Sequence, residues 1–275
     1  MQQMRAASRQ AAADARDRLY RYLDGTPESE AEQLGEELFA VVDLLLAEPV
    51  LRRHLADPAT AAAGKNRLLR TVLGRAIGEP TLDLLSGLVG ARWSGTRDLV
   101  DSVEMLGQLA LLAVAQKQGA IEEVEDELFR VGRLLDREPR LRLLLADPTA
   151  PVQRRVELLR SVLSGKVHPV TERQLVRAVQ APQGRGLDRA AEELAELAAA
   201  SRERSVAKVS TPTGLSDDQQ RRLTEALSRF YGRPIGLQVE LRPELIGGLV
   251  VRVGDEVIDG SLAARILAAR QRLPH

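Results

Sequence analysis

At 275 residues, 44% apolar but only 3% aromatic, the chain has room for roughly two domains of about 100–200 residues, with cores built from Leu, Ala and Val. It has no cysteine, which excludes disulfides and thiolate metal sites, and its three histidines (His54, His168, His275) are far apart in sequence. The 39 basic and 39 acidic residues balance, so no positive excess points to nucleic acid, and no apolar run nears the roughly 18 residues a membrane span needs.

Met1 to Gln10 is polar and carries no apolar stretch of the kind a secretory signal has, so the expectation is a soluble, intracellular protein. The next segments repeat. Glu37-Leu38-Phe39-Ala40-Val41 returns ninety positions later as Glu127-Leu128-Phe129-Arg130-Val131, and Leu55-Ala56-Asp57-Pro58 as Leu145-Ala146-Asp147-Pro148. Nineteen of the thirty-seven positions from 37 to 73 recur identically at 127 to 163 without a gap, which marks a tandem duplication.

Each copy reads as helices. Leu34, Leu38, Val41, Val42, Leu45 and Leu46 recur at helical spacing, and Pro49 and Pro58 break the pattern. A helix from about Lys65 ends near Gly74, and another from Thr81 carries Leu82, Leu85, Leu88 and Val89. Asp98 to Gln118 contains no proline and only Gly107 as an interior weak point. By register it is the last helix of copy one and the first of copy two. In copy two Leu175, Val176 and Val179 form the matching stripe, ending near Pro182. A last helix, Leu187 to about Arg204, carries Leu194, Leu197 and Ala198.

Beyond Ser205 the period changes. Val206 to Val209 reads as a strand, and Ser216-Asp217-Asp218-Gln219 is a capping box. It opens a helix with Leu223, Ala226, Leu227 and Phe230, which Gly232 and Pro234 end. Ile235, Leu237, Val239 and Leu241 then alternate with polar residues or glycine, a half-buried strand. Gly247-Gly248 precedes an apolar run, Leu249 to Val253. Gly254-Asp255 separates it from Val257-Ile258, a hairpin signal, and Asp259-Gly260-Ser261 caps a final helix, Leu262 to Leu273. The expected fold is mainly α with a small C-terminal α+β domain. Two tandem helical bundles share a long helix, and a strand-helix-strand-strand-helix domain follows. The expected divisions are 1–107, 108–205 and 206–275.

The run from Gly247 and Gly248 through Gly254, Asp255, Val257, Ile258, Asp259, Gly260 and Ser261 to the final helix resembles the C-terminal signature of the delta subunit of bacterial F-type ATP synthase. That subunit is the counterpart of the mitochondrial oligomycin-sensitivity-conferring protein. Gly184-Arg185-Gly186-Leu187 is similar to the family's Asn-Gly-Arg-Leu, with Gly184 in place of Asn and Gly186 inserted. The resemblance implies a non-catalytic stator subunit in the peripheral stalk, one copy per complex, on the cytoplasmic face of the cell membrane. It implies alpha-subunit N-terminal helices and the C-terminal region of the b subunit as partners, with no cofactor, no nucleic acid and no insertion into the membrane. The duplication departs from the family's single bundle and resembles fused b–delta subunits of some high-GC bacteria. Placed on this chain, the alpha contact falls in a groove between Leu109 and Leu112 on the shared helix and Leu175 and Val179, although residues of this kind are more often core than interface.

The residues themselves supply no catalytic constellation. Ser164-Gly165-Lys166 lacks the hydroxyl residue after the lysine, and Arg160 stands where a phosphate loop has its first glycine. Asp255, Glu256 and Asp259 read as turn and cap acids, with no base or nucleophile nearby in sequence. Trp93, the only tryptophan, reads as core filling. Two other readings stand beside the stator: a free-standing helical adaptor or regulator, and a small-molecule enzyme assembled from scattered Arg and Asp residues.

Overall fold

The computed structural model describes residues 4–204, 206–231, 235–245, 247–254 and 256–261. It divides into two compact units, residues 1–198 and 199–275, with the division inside the last helix of the repeat. The repeat is therefore not two bodies. The division expected at 107/108 falls inside one unbroken helix, and a single apolar core runs from Ala11 to Ala198.

That helix is α6 (Thr96–Lys117), and fifteen of its twenty-two residues are buried. A helix apolar on nearly every side belongs to the middle of a bundle, so α6 closes the first copy and opens the second. Copy one contributes α1 (Ala6–Leu23), α2 (Glu28–Ala47), α3 (Pro49–Ala56), α4 (Ala62–Leu73) and α5 (Glu79–Gly90). Copy two repeats α2 to α5 as α7 (Ile121–Arg137), α8 (Pro139–Ala146), α9 (Val152–Leu163) and α10 (Pro169–Gln180), and ends with α11 (Leu187–Arg204). α6 runs unbroken through Gly107. A Cβ there would lie 2.6 Å from Phe39 Cε1, and one on Gly35 would lie 3.3 Å from the Gly107 carbonyl, so the two glycines let α2 and α6 approach closely.

Three helices lie outside the sequence expectation. Pro49 and Pro139 start α3 and α8 rather than merely breaking the chain, because the first helical position needs no N–H donor. Half of the residues α1 buries are alanine (Ala11, Ala12 and Ala15, beside Ser8, Leu19 and Leu23), too weak a stripe to stand out by periodicity. Trp93 is core, 5% exposed, and its indole N–H donates to the Leu88 carbonyl at 2.8 Å.

One polar device is built twice. The Glu37 carboxylate accepts from Gly78 N–H at 3.0 Å and from the Thr81 hydroxyl, capping α5. Its repeat, Glu127, accepts from His168 N–H at 2.9 Å and the Thr171 hydroxyl at 2.6 Å, capping α10. In each copy an acid from one helix satisfies the orphan donors at the start of another. The repeated Leu-Ala-Asp-Pro turn works the same way in both copies: Asp57 accepts from Ala59 N–H and Thr60, Asp147 from Thr149 N–H and hydroxyl.

The second unit holds a four-stranded sheet in the order β2-β1-β3-β4, with β1 (Val206–Thr211) central, parallel to β2 (Gly236–Leu241) and antiparallel to β3 (Val250–Val253). α12 (Asp217–Tyr231) crosses from β1 to β2, and its capping box forms in both directions: Gln219 N–H to Ser216 Oγ at 3.3 Å, Ser216 N–H to Gln219 Oε1 at 2.9 Å. Ala207, Val209, Leu227, Tyr231, Ile235, Val251 and Val253 make its core. Phe230 and Leu241, expected inside, are 71% and 60% exposed. A fourth strand, β4 (Glu256–Asp259), pairs with β3 and forms the hairpin expected around Gly254-Asp255, although the expected element order counted only three strands. All four of its residues are exposed, so it carries no burial pattern and is held through its backbone. The expected helix Leu262 to Leu273 lies outside the described residues.

Candidate partner-binding surfaces

The expected groove between α6 and α10 is not open. Leu109, Leu112, Leu175 and Val179 are each at most 2% exposed and belong to the chain's own core. A leucine stripe at helical spacing reports burial, whoever covers it, and here the cover is internal. α2 lies along α6 and reaches α10 through its side chains. The Arg177 guanidinium from α10 donates from Nη2 to Glu104 Oε2 at 2.8 Å and from Nη1 to Asp43 Oδ1 at 2.7 Å, and it stacks 4.9 Å from the Phe39 ring centroid. Arg173 pairs with Glu32 one turn earlier. Burial alone would weaken the charge on Arg177, but Glu104 and Asp43 outweigh it and hold its pKa above the ordinary arginine value. One cation thus joins three helices and both copies. Sequence reading missed this site, because only the fold brings Asp43, Glu104 and Arg177 together.

The signature residues build a hairpin. Gly254 has φ +58° at the two-residue turn between β3 and β4, a conformation that suits glycine. Asp255, expected in the same turn, lies outside the described residues. Gly260 N–H donates to the Leu249 carbonyl at 2.9 Å, and Asp259 accepts from Ser261 N–H at 2.9 Å. The side-chain and backbone hydrogen bonds of Ser261 hold the Asp259 carboxyl below its usual pKa, and Ser261 itself is buried. Gly247 and Gly248, the latter at φ +81°, lie in the turn before β3. Val257 and Ile258 are 50% and 39% exposed on β4. One face of the sheet carries an exposed polar cross-strand row, Gln238, Lys208 and Arg252, with the exposed apolar Val257 next to Arg252. No group of three His, Asp or Glu among the described residues is placed to hold a metal ion, and none of the described helices is long and apolar enough to cross a membrane.

Residues 109–273 match the family profile of the ATP synthase delta (OSCP) subunit. The chain belongs to that family. The match starts inside α6, so the delta-family profile spans the second copy and the sheet domain and leaves the first copy outside. The first copy is nonetheless shared by delta relatives. "ATP synthase subunit delta" of Streptomyces griseus is 47% identical over 270 residues, 98% of this chain and 99% of that one. The delta subunit of Streptomyces avermitilis is 48% identical over 97% of both chains. Among solved structures, a chain of the Toxoplasma gondii mitochondrial ATP synthase hexamer is 24% identical. It overlaps 61% of this chain and 96% of its own length, with a TM-score of 0.32, too low to compare the folds.

Proposed function

We propose that this delta-family subunit is a non-catalytic stator element. It ties alpha-subunit N-terminal helices on the catalytic head to the C-terminal region of the b subunit, on the cytoplasmic face of the membrane, with one copy per complex. The observation that carries the reading is the end-to-end match to delta subunits of equal span. The architecture supports it. Holding a stationary head against torque calls for rigid bodies and large, slowly dissociating interfaces rather than chemistry. A helix buried on nearly all sides and a cation joining both copies make the helical unit such a body.

The helical unit is the proposed dock for the head, and the C-terminal unit the dock for b. Among the described residues the sheet ends in two unpaired edges, β2 and β4, and it exposes a polar face bearing Lys208 and Arg252. Truncation after Arg204 is the test: it abolishes capture of purified b subunit while an alpha N-terminal peptide still binds. Retained capture of b places that dock on the helical repeat instead, and loss of both with the helices still folded means the two docks are not separable.

A further inference from the structure

The sheet of the second unit has one face covered and one open. Ala207, Val209, Val251 and Val253 pack with Leu227 and Tyr231 of α12 in its core. Side chains alternate along a strand, so Lys208 and Ser210 of β1 and Val250 and Arg252 of β3 point the other way. A solvated face is ordinary for an antiparallel pair. Two cations set side by side on it are not.

Lys208 and Arg252 are direct cross-strand partners on the two inner strands, and both are exposed. Like charges directly opposite destabilise a strand pair. Neither residue has an ion pair or hydrogen bond among the described residues. The acids on this face are engaged by their own neighbours: Glu240 pairs with Arg242 at 3.3 Å, and Asp259 accepts from Ser261 N–H at 2.9 Å. Residues 262–275 carry Arg265, Arg270 and Arg272 and no acid, so that segment does not bring the missing charge.

We propose that Lys208 and Arg252 are the recognition point of the second unit for an acidic amphipathic helix, laid on the open face of the sheet with two carboxylates one turn apart. Directly opposed strand residues have Cβ atoms about 4.5–5.5 Å apart and helix residues four apart about 5–6 Å, so the two acids match the two cations in spacing. Apolar residues of the same helix cover Val250, half-buried, and Val257, half-exposed beside Arg252. On the stator reading, on which this rests, the helix belongs to the b subunit.

The probe is the soluble part of the b subunit, immobilised, with the full chain passed over it by surface plasmon resonance. Saturable binding that weakens as salt rises is expected. Lys208→Glu/Arg252→Glu weakens it about tenfold or more, in keeping with loss of charge-assisted hydrogen bonds. Arg222→Glu/Arg229→Glu makes the same change in net charge at exposed positions of α12 and leaves binding as it was. Lys208→Glu alone turns the like-charged pair into an opposite-charged one, so it weakens binding while the thermal midpoint of the free chain holds or rises. Absence of binding by the wild-type chain overturns the stator reading and this proposal together. Binding by Lys208→Glu/Arg252→Glu equal to wild type overturns the proposal alone and leaves the stator reading standing. An equal loss in the α12 variant, or a midpoint lowered by Lys208→Glu, also overturns it, since net charge or folding then accounts for the effect. A wild-type chain that sediments as a dimer, and becomes a monomer in Lys208→Glu/Arg252→Glu, overturns it in favour of a second copy as the occupant.

Discussion

Replacing Arg177 by methionine tests whether the two copies are joined as the structure has them. Its side chain is 7% exposed and that of Glu104 is 4%, whereas Asp43 is 60% exposed. Removing the guanidinium strands the Glu104 carboxylate in the core, with a 3.3 Å contact from Gln183 Nε2 as its other recorded hydrogen bond. An uncompensated buried charge of this kind costs about 3–5 kcal/mol. For a unit of this size that lowers the thermal midpoint by about 6–20 °C. Asp43→Asn removes a partner that water already screens, and is expected to cost less than about 1 kcal/mol. The double variant Glu104→Leu/Arg177→Met takes the charge away with its partner and recovers most of the loss. Trp93 is the only tryptophan and is buried in the helical core, so its fluorescence during thermal or urea unfolding reports this unit alone. If Arg177→Met costs no more than Asp43→Asn, or the double variant is no better than the single, the cation is not the joint described here.

Gly107→Ala raises intrinsic helix propensity yet is expected to destabilise by about 1–3 kcal/mol, since its Cβ meets the Phe39 ring; the companion change Phe39→Leu relieves the cost in urea titrations. Glu127→Ala leaves His168 N–H and the Thr171 hydroxyl without their acceptor and costs about 1.5–3 kcal/mol by the same assay. Glu37→Ala costs less, because Glu37 is only half-buried. Hydrogen bonds within their turns hold Asp57 and Asp147 below the usual carboxylate value of 3.8, so the folded state binds protons more weakly than the unfolded one there. That stabilisation is present above the unfolded value and lost as pH falls through the folded one. Asp57→Asn/Asp147→Asn therefore shows a shallower loss of stability than wild type between about pH 5 and about pH 3.

The duplication and the shared helix were legible because an ungapped repeat preserves every helix length, and the capping box at Ser216 because it is local. What the sequence did not disclose follows from what periodicity measures. Leu109, Leu112, Leu175 and Val179 announce burial, but a stripe is the same whether a partner or the chain's own core covers it. β4 is exposed along its whole length, so only the hairpin signal at Gly254-Asp255 pointed to it, and half of what α1 buries is alanine, too weak a stripe for periodicity. Pro49 and Pro139 look alike as breakers and as first residues of a helix. Arg177, Glu104 and Asp43 are separated by 73 and 134 positions, and no local pattern relates them. Glu127 and Thr171 did leave a signal: the same acid and threonine, 44 positions apart, stand at Glu37 and Thr81.

The bridging role itself is open to one reconstitution. Purified catalytic head and soluble b subunit are mixed with and without this chain, and the head is recovered by sedimentation. The stator reading predicts that b travels with the head only when the chain is present, at one chain per head. Equal recovery of b in its absence, or recovery of the chain with b but never with the head, contradicts it.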